Sequence, residues 1–155
     1  MERKIGEEQW KRLMADIVQK FEPGELISHE YLKRCFLIEE PDFEDFETQT
    51  EFIEAVQLLQ FEYMSLIEKL REDILEEYKF YMKNVRGDGY SFLLPSEQTE
   101  YAKERTMAGI RKEMKRGIMI MMNVSFSSLS ADKRRQNADE MAKLGQLQHL
   151  LKAFK

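Results

Sequence analysis

The sequence predicts a mainly α-helical protein with one β-hairpin, an α+β chain, and three observations carry that expectation. Apolar residues recur every three or four positions from Phe52 to Ile74, the spacing of one buried helical face. Asp88-Gly89 sits between aromatic-rich segments, a strong short-range signal for a tight hairpin. Side chains that cap helix N-termini stand before the periodic stretches, at Ser28, Thr48, Ser96 and Ser130.

Taken in order, residues 7–21 predict a first helix, with Trp10, Leu13, Met14, Ile17, Val18 and Phe21 on one face. Pro23-Gly24 stops it, because proline lacks an N–H and glycine favours irregular backbone. Ser28 then caps a second, short helix with Tyr31, Leu32, Cys35 and Phe36 inward. Residues 39–47 are the most acidic stretch and contain Pro41, so they predict an exposed connection pinned to the body by Phe43 and Phe46. Thr48 and Glu51 form a capping-box pattern, and the long helix that follows has Phe52, Val56, Leu59, Tyr63, Leu66, Leu70 and Ile74 as its stripe. Its outward residues are mostly acidic, with only Lys69 and Arg71 against eight carboxylates.

With Asp88-Gly89 as the hairpin loop, Val85 would face Phe92, and Pro95 would end the second strand. Ser96 is the expected cap of a fourth helix, whose stripe is Tyr101, Met107, Ile110, Met114, Ile118 and Met121. Ser130 starts a last helix carrying Met141, Leu144, Leu147, Leu151 and Phe154. The methionines at 119, 121 and 122 predict either a core or helix–helix contact or an adaptable partner groove.

A chain of 155 residues can bury a core without staples, and 43% apolar with 34% charged residues fits neither a disordered tail nor a membrane protein. No apolar run approaches the roughly 20 residues that span a bilayer. The start, Met1 to Glu8, lacks the apolar stretch of a signal peptide, and Cys35 is the single cysteine, so the expected location is cytoplasmic. The net charge of −5 is unevenly spread. Residues 1–78 hold 9 Lys/Arg and 21 Asp/Glu, a net of −12, whereas residues 79–155 hold 15 and 8, a net of +7. Such a split marks either a polyanionic partner on the basic half or two halves that face each other in the fold or a dimer.

Val85-Arg86-Gly87-Asp88-Gly89-Tyr90 resembles the wing hairpin of winged-helix proteins, notably the DNA-binding domains of response regulators, which often show Val-Arg-Gly-any-Gly-Tyr there. The order of a short helix pair, a longer helix and a hairpin also fits. The resemblance covers about six residues and implies a winged-helix-like core followed by two C-terminal helices. It implies that Arg86 approaches the DNA backbone while the preceding helix enters the major groove. The chain as a whole also resembles small accessory proteins of phages and prophages. The domain expectation is a winged-helix-like domain over 1–95, with its acidic connection at 39–47, and a helical extension over 96–155 packed on it or on a dimer partner.

Catalytic and metal chemistry find little to work with. His29 and His149 have no Cys or His at ligand spacing, so neither a metal nor a cofactor is expected. Cys35 has apolar neighbours and reads as a small core residue, and no phosphate-cradling glycine pattern occurs. The expected function is therefore non-enzymatic nucleic-acid binding in an accessory or regulatory role, with DNA as a partner. Lys79, Lys83 and Arg86 from the hairpin region and Lys103, Arg105, Arg111, Lys112, Lys115 and Arg116 from the next helix would supply the phosphate contacts, with Tyr90 supporting the wing. The alternative is an acidic protein-interaction module that regulates or inhibits a partner protein through Asp42, Glu44, Asp45 and Glu47. A homodimer fits both.

Overall fold

The computed structural model describes residues 5–154, and the chain divides into two compact units, residues 1–98 and 99–155. In chain order the helices are α1 (Glu7–Lys20), α2 (His29–Cys35), α3 (Gln49–Tyr78), α4 (Pro95–Met122) and α5 (Ala131–Leu151). The strands are β1 (Ile27–Ser28), β2 (Met82–Val85) and β3 (Gly89–Phe92), all in the first unit. No described helix is long and apolar enough to cross a membrane.

The core of the first unit forms where the helical stripes and the sheet meet. Trp10, Met14 and Ile17 of α1, Leu32 of α2, Phe36 just after it and Tyr63, Ile67, Leu70 and Ile74 of α3 pack with Ile27, Met82, Tyr90 and Phe92. Burying a side chain of this size is worth about 1.5–3 kcal/mol, so these residues dominate the unit's stability. The burial also revises the predicted stripe of α3. Ile67 is buried although it lay outside that stripe, and Val56, within it, is 38% exposed. The core covers only the second half of the helix; its first turns are held by their caps instead. The Thr48 hydroxyl accepts from Glu51 N–H while the Glu51 carboxylate accepts from Thr48 N–H, a pairing worth about 1 kcal/mol. Phe43 and Phe46 pin the acidic connection to Phe52, with ring centroids 5.4 and 5.8 Å away.

The sheet differs from the expected lone hairpin in two respects. A two-residue strand, β1, joins it, giving the antiparallel order β1-β3-β2. The register is also shifted: Val85 pairs with Gly89 and Met82 with Phe92, leaving Arg86-Gly87-Asp88 as a three-residue turn. Gly87, at φ +85°, supplies the left-handed turn position. Gly89 is needed for a different reason, because β1 lies against it. A Cβ there would stand 2.1 Å from the Ile27 carbonyl oxygen.

The expected Ser96 cap is also corrected. Helix α4 begins at Pro95, whose missing N–H costs nothing at a first helical position. Ser28 and Ser130 cap α2 and α5 as expected, accepting from the N–H groups of Tyr31 and Lys133.

In the second unit, α4 and α5 run antiparallel. Gly117 stands beside Leu144, and Asn137 Nδ2 donates to the Met121 carbonyl at 3.3 Å. None of the described residues 99–154 is fully buried. Met119 and Met122 are 58% and 63% exposed, so the methionine cluster is not core within one chain; Met121 alone is half-buried.

Three tyrosines of the first unit resist ionisation. Burial, then the Cys35 thiol beside it, pushes the Tyr31 hydroxyl up to about 12; burial likewise raises Tyr63 and Tyr90. Unfolded tyrosines ionise near pH 10. Because the folded values lie higher, the stability these groups lend is fully present below about pH 10 and is lost as pH rises toward 12. The urea midpoint of the first unit is expected to fall steadily across that window. Tyrosinate absorbance should rise in two stages, the later one coinciding with unfolding.

Candidate nucleic-acid interface

The hairpin and its approach bring three expected cations into the first unit. Lys79 closes α3 in a left-handed conformation and turns its ammonium back onto the Glu76 carbonyl, so its charge offsets the negative end of that helix. Lys83 stands on β2 opposite Ser91, on the exposed side of the strand. Arg86 occupies the exposed turn, which Asp88 N–H closes by donating to the Val85 carbonyl at 3.0 Å. Tyr90, the residue expected to support the wing, is buried with its ring edge-on to His29. His29 Nδ1 shares a 2.7 Å hydrogen bond with the Tyr63 hydroxyl, which makes this histidine part of the core packing.

The face of α3 that a groove-reading helix would use is acidic, and its two cations are engaged. Lys69 pairs with Asp73, whose carboxylate also accepts from Trp10 Nε1 at 2.7 Å. Arg71 Nε donates to the Met82 carbonyl and Nη2 to the Tyr81 hydroxyl, both at 3.1 Å. Arg71 thus ties α3 to the sheet, a role sequence spacing could not reveal.

The remaining expected cations all lie on α4 and all are exposed. At about 100° per residue, Arg105, Arg111, Lys112, Lys115 and Arg116 fall within an arc of about 140°. Glu104 lies on the same arc. Lys103 falls outside it, on the side of Met107 and Met114, and pairs with Glu100 at 3.4 Å. Arg116 reaches Glu113 at 3.7 Å and Arg105 donates to the Tyr101 hydroxyl at 3.4 Å. Exposed contacts of this kind are worth little, so these cations stay available to a polyanion. The expected set is thereby divided between the two units. Residues 1–98 hold 12 Lys/Arg and 23 Asp/Glu, a net of −11; residues 99–155 hold 12 and 6, a net of +6.

Asp42, Glu44, Asp45 and Glu47 are all exposed around a short 3-10 turn over Phe43–Asp45, where Asp42 caps the Glu44 N–H. Among the described residues no three His, Cys, Asp or Glu side chains gather to hold a metal ion. An apolar groove between α1 and α3 was not anticipated. Its signal was present in Leu58 and Phe61, which lie off the buried stripe of α3 and are 61% and 73% exposed.

No protein-family model, curated protein or solved structure matches this chain.

Proposed function

We propose that this protein is a non-enzymatic nucleic-acid-binding accessory or regulatory protein of winged-helix type. On this reading it holds phosphates with the basic arc of α4, and α3 does not read bases. The observation that carries the reading is that arc: five cations within 12 residues of one helix, on one exposed side. The winged-helix assignment is supported by the helix pair, longer helix and hairpin of residues 7–92, with Arg86 at an exposed turn. The acidity of α3 argues against major-groove readout, since that helix would meet one phosphate charge per roughly 1.7 Å of duplex. Titration against short duplex and single-stranded DNA at two salt concentrations tests the reading; absence of binding to both at about 50 mM salt removes it.

The same reading includes a homodimer formed through residues 99–155. A helix pair with no fully buried residue lacks a core of its own, and the end of α4, Ile118 to Met122, is apolar all round. A second copy would complete a four-helix arrangement. The expected mass at micromolar concentration is that of two chains. Ile120→Asp with Leu150→Asp, both at exposed positions, should weaken the dimer by about tenfold or more. A wild-type monomer at that concentration sinks the dimer.

A second reading, an acidic protein-interaction module, is favoured by the net −11 of residues 1–98 and by the exposure of Asp42, Glu44, Asp45 and Glu47.

A further inference from the structure

The first unit carries a groove of about 860 Å³ between α1 and α3. Trp10, Met14, Phe36 and Leu66 line its base, while Leu58 and Phe61 stand more than half exposed at one end. Leu58 and Phe61 extend the apolar base of the groove into solvent, where a partner's apolar side chains would cover them. Along α3 the lining extends from Leu58 to Glu77, which at 1.5 Å per residue is about 28 Å. A small molecule would occupy a fraction of that length. A helix of about five turns would cover that length. Its apolar stripe would lie between the two helices where α1 lines the groove, from Glu7 to Met14, and along α3 for the rest.

The rim decides the charge of the occupant. Glu7, Glu62, Asp73 and Glu77 line the groove against Lys11 and Lys69, a net of −2, and Lys69 is paired with Asp73. Glu62 and Glu77 then leave the rim negative. Three contacts hold Trp10 at the base: it stacks on Phe36 at 5.9 Å, lies under the Lys69 ammonium and donates its indole N–H to Asp73. We propose that the α1–α3 groove docks a basic amphipathic helix of a protein partner, with leucine-like anchors on Trp10, Leu58 and Phe61 and lysine or arginine flanks on Glu62 and Glu77. This site is separate from the cations assigned to nucleic acid, and it stands or falls independently of them.

Trp10 is the single tryptophan and lines the groove, so its emission reports occupancy. The probe is a synthetic helix of about 18 residues, built of leucine and lysine with leucines at i, i+3, i+4 and i+7. The full chain is expected to bind it saturably with a shift in Trp10 emission. Affinity should drop about tenfold or more when the leucines are scrambled, and equally in Leu58→Ser/Phe61→Ser. Asp42→Asn/Glu44→Gln/Asp45→Asn should leave it unchanged, which separates docking from general attraction to an acidic surface. Equal binding of the scrambled peptide, or unchanged affinity in the Leu58/Phe61 variant, overturns the proposal. So does Trp10 emission that shifts with protein concentration alone, because a second copy then fills the groove.

Discussion

Gly89→Ala is expected to unfold residues 1–98 at urea concentrations where the wild-type unit remains folded, and its neighbour Gly87 provides the control. Both glycines have positive φ, +152° and +85°, so both substitutions impose backbone strain of about 1–3 kcal/mol. At Gly87 nothing lies within 4 Å of an added Cβ, and strain is the whole effect. At Gly89 the added carbon meets the Ile27 carbonyl oxygen at 2.1 Å and the Ser28 Cα at 2.9 Å, and both neighbours are backbone. Neither can step aside without separating β1 from β3. That separation breaks the pairing of Ile27 with Tyr90 and pulls on the bonds from Gly24 N–H to Phe92 and from His29 N–H to Asp88. It also moves Ile27, which is wholly buried in the core. The expected loss is about 4 kcal/mol or more for Gly89→Ala against about 1–2 kcal/mol for Gly87→Ala, read from urea midpoints followed by Trp10 emission. Equal losses at the two positions would mean that β1 does not press on the hairpin as described.

That contrast shows what the residues disclose locally and what they do not. Asp88-Gly89 revealed a hairpin because an Asp-Gly dipeptide between aromatic-rich segments favours a tight turn. Its register was not legible, since the demand for glycine at 89 comes from the Ile27 carbonyl, over sixty residues earlier in the chain. A strand as short as Ile27–Ser28 has no periodicity to detect. Thr48 and Glu51 disclosed the start of α3 because capping is a contact over three residues. Where the core takes over from the cap was hidden, since Val56 and Ile67 are equally apolar and only packing separates them. The cations were legible by type, and those on α4 share an arc because helical spacing alone arranges them. Arg71 could not be assigned in the same way: its partners Tyr81 and Met82 lie ten and eleven residues on, beyond the helix end.

Neutralising Arg111, Lys112, Lys115 and Arg116 together, each to glutamine, is expected to have the largest effect on DNA binding. If the five arc residues each neutralise one phosphate, log affinity should fall against log salt with a slope of about −4.5 per protomer on duplex DNA. Raising salt from about 50 to about 200 mM then weakens binding about five-hundredfold. The quadruple variant retains one of the five contacts, so its slope should flatten to about −1, and the same salt step should cost it only about fourfold. Because all four side chains are exposed, the fold should be unaffected, as far-ultraviolet dichroism would verify. Lys103→Gln, off the arc, and Lys69→Gln, paired with Asp73, should leave the slope unchanged. Duplexes of unrelated sequence should bind within about tenfold of one another, far below the 10³–10⁷ ratios typical of specific readers, because α3 offers no free cation to base edges. A slope left intact by the quadruple variant would move the phosphate contacts elsewhere. A strong sequence preference would require a reading surface other than the acidic face of α3.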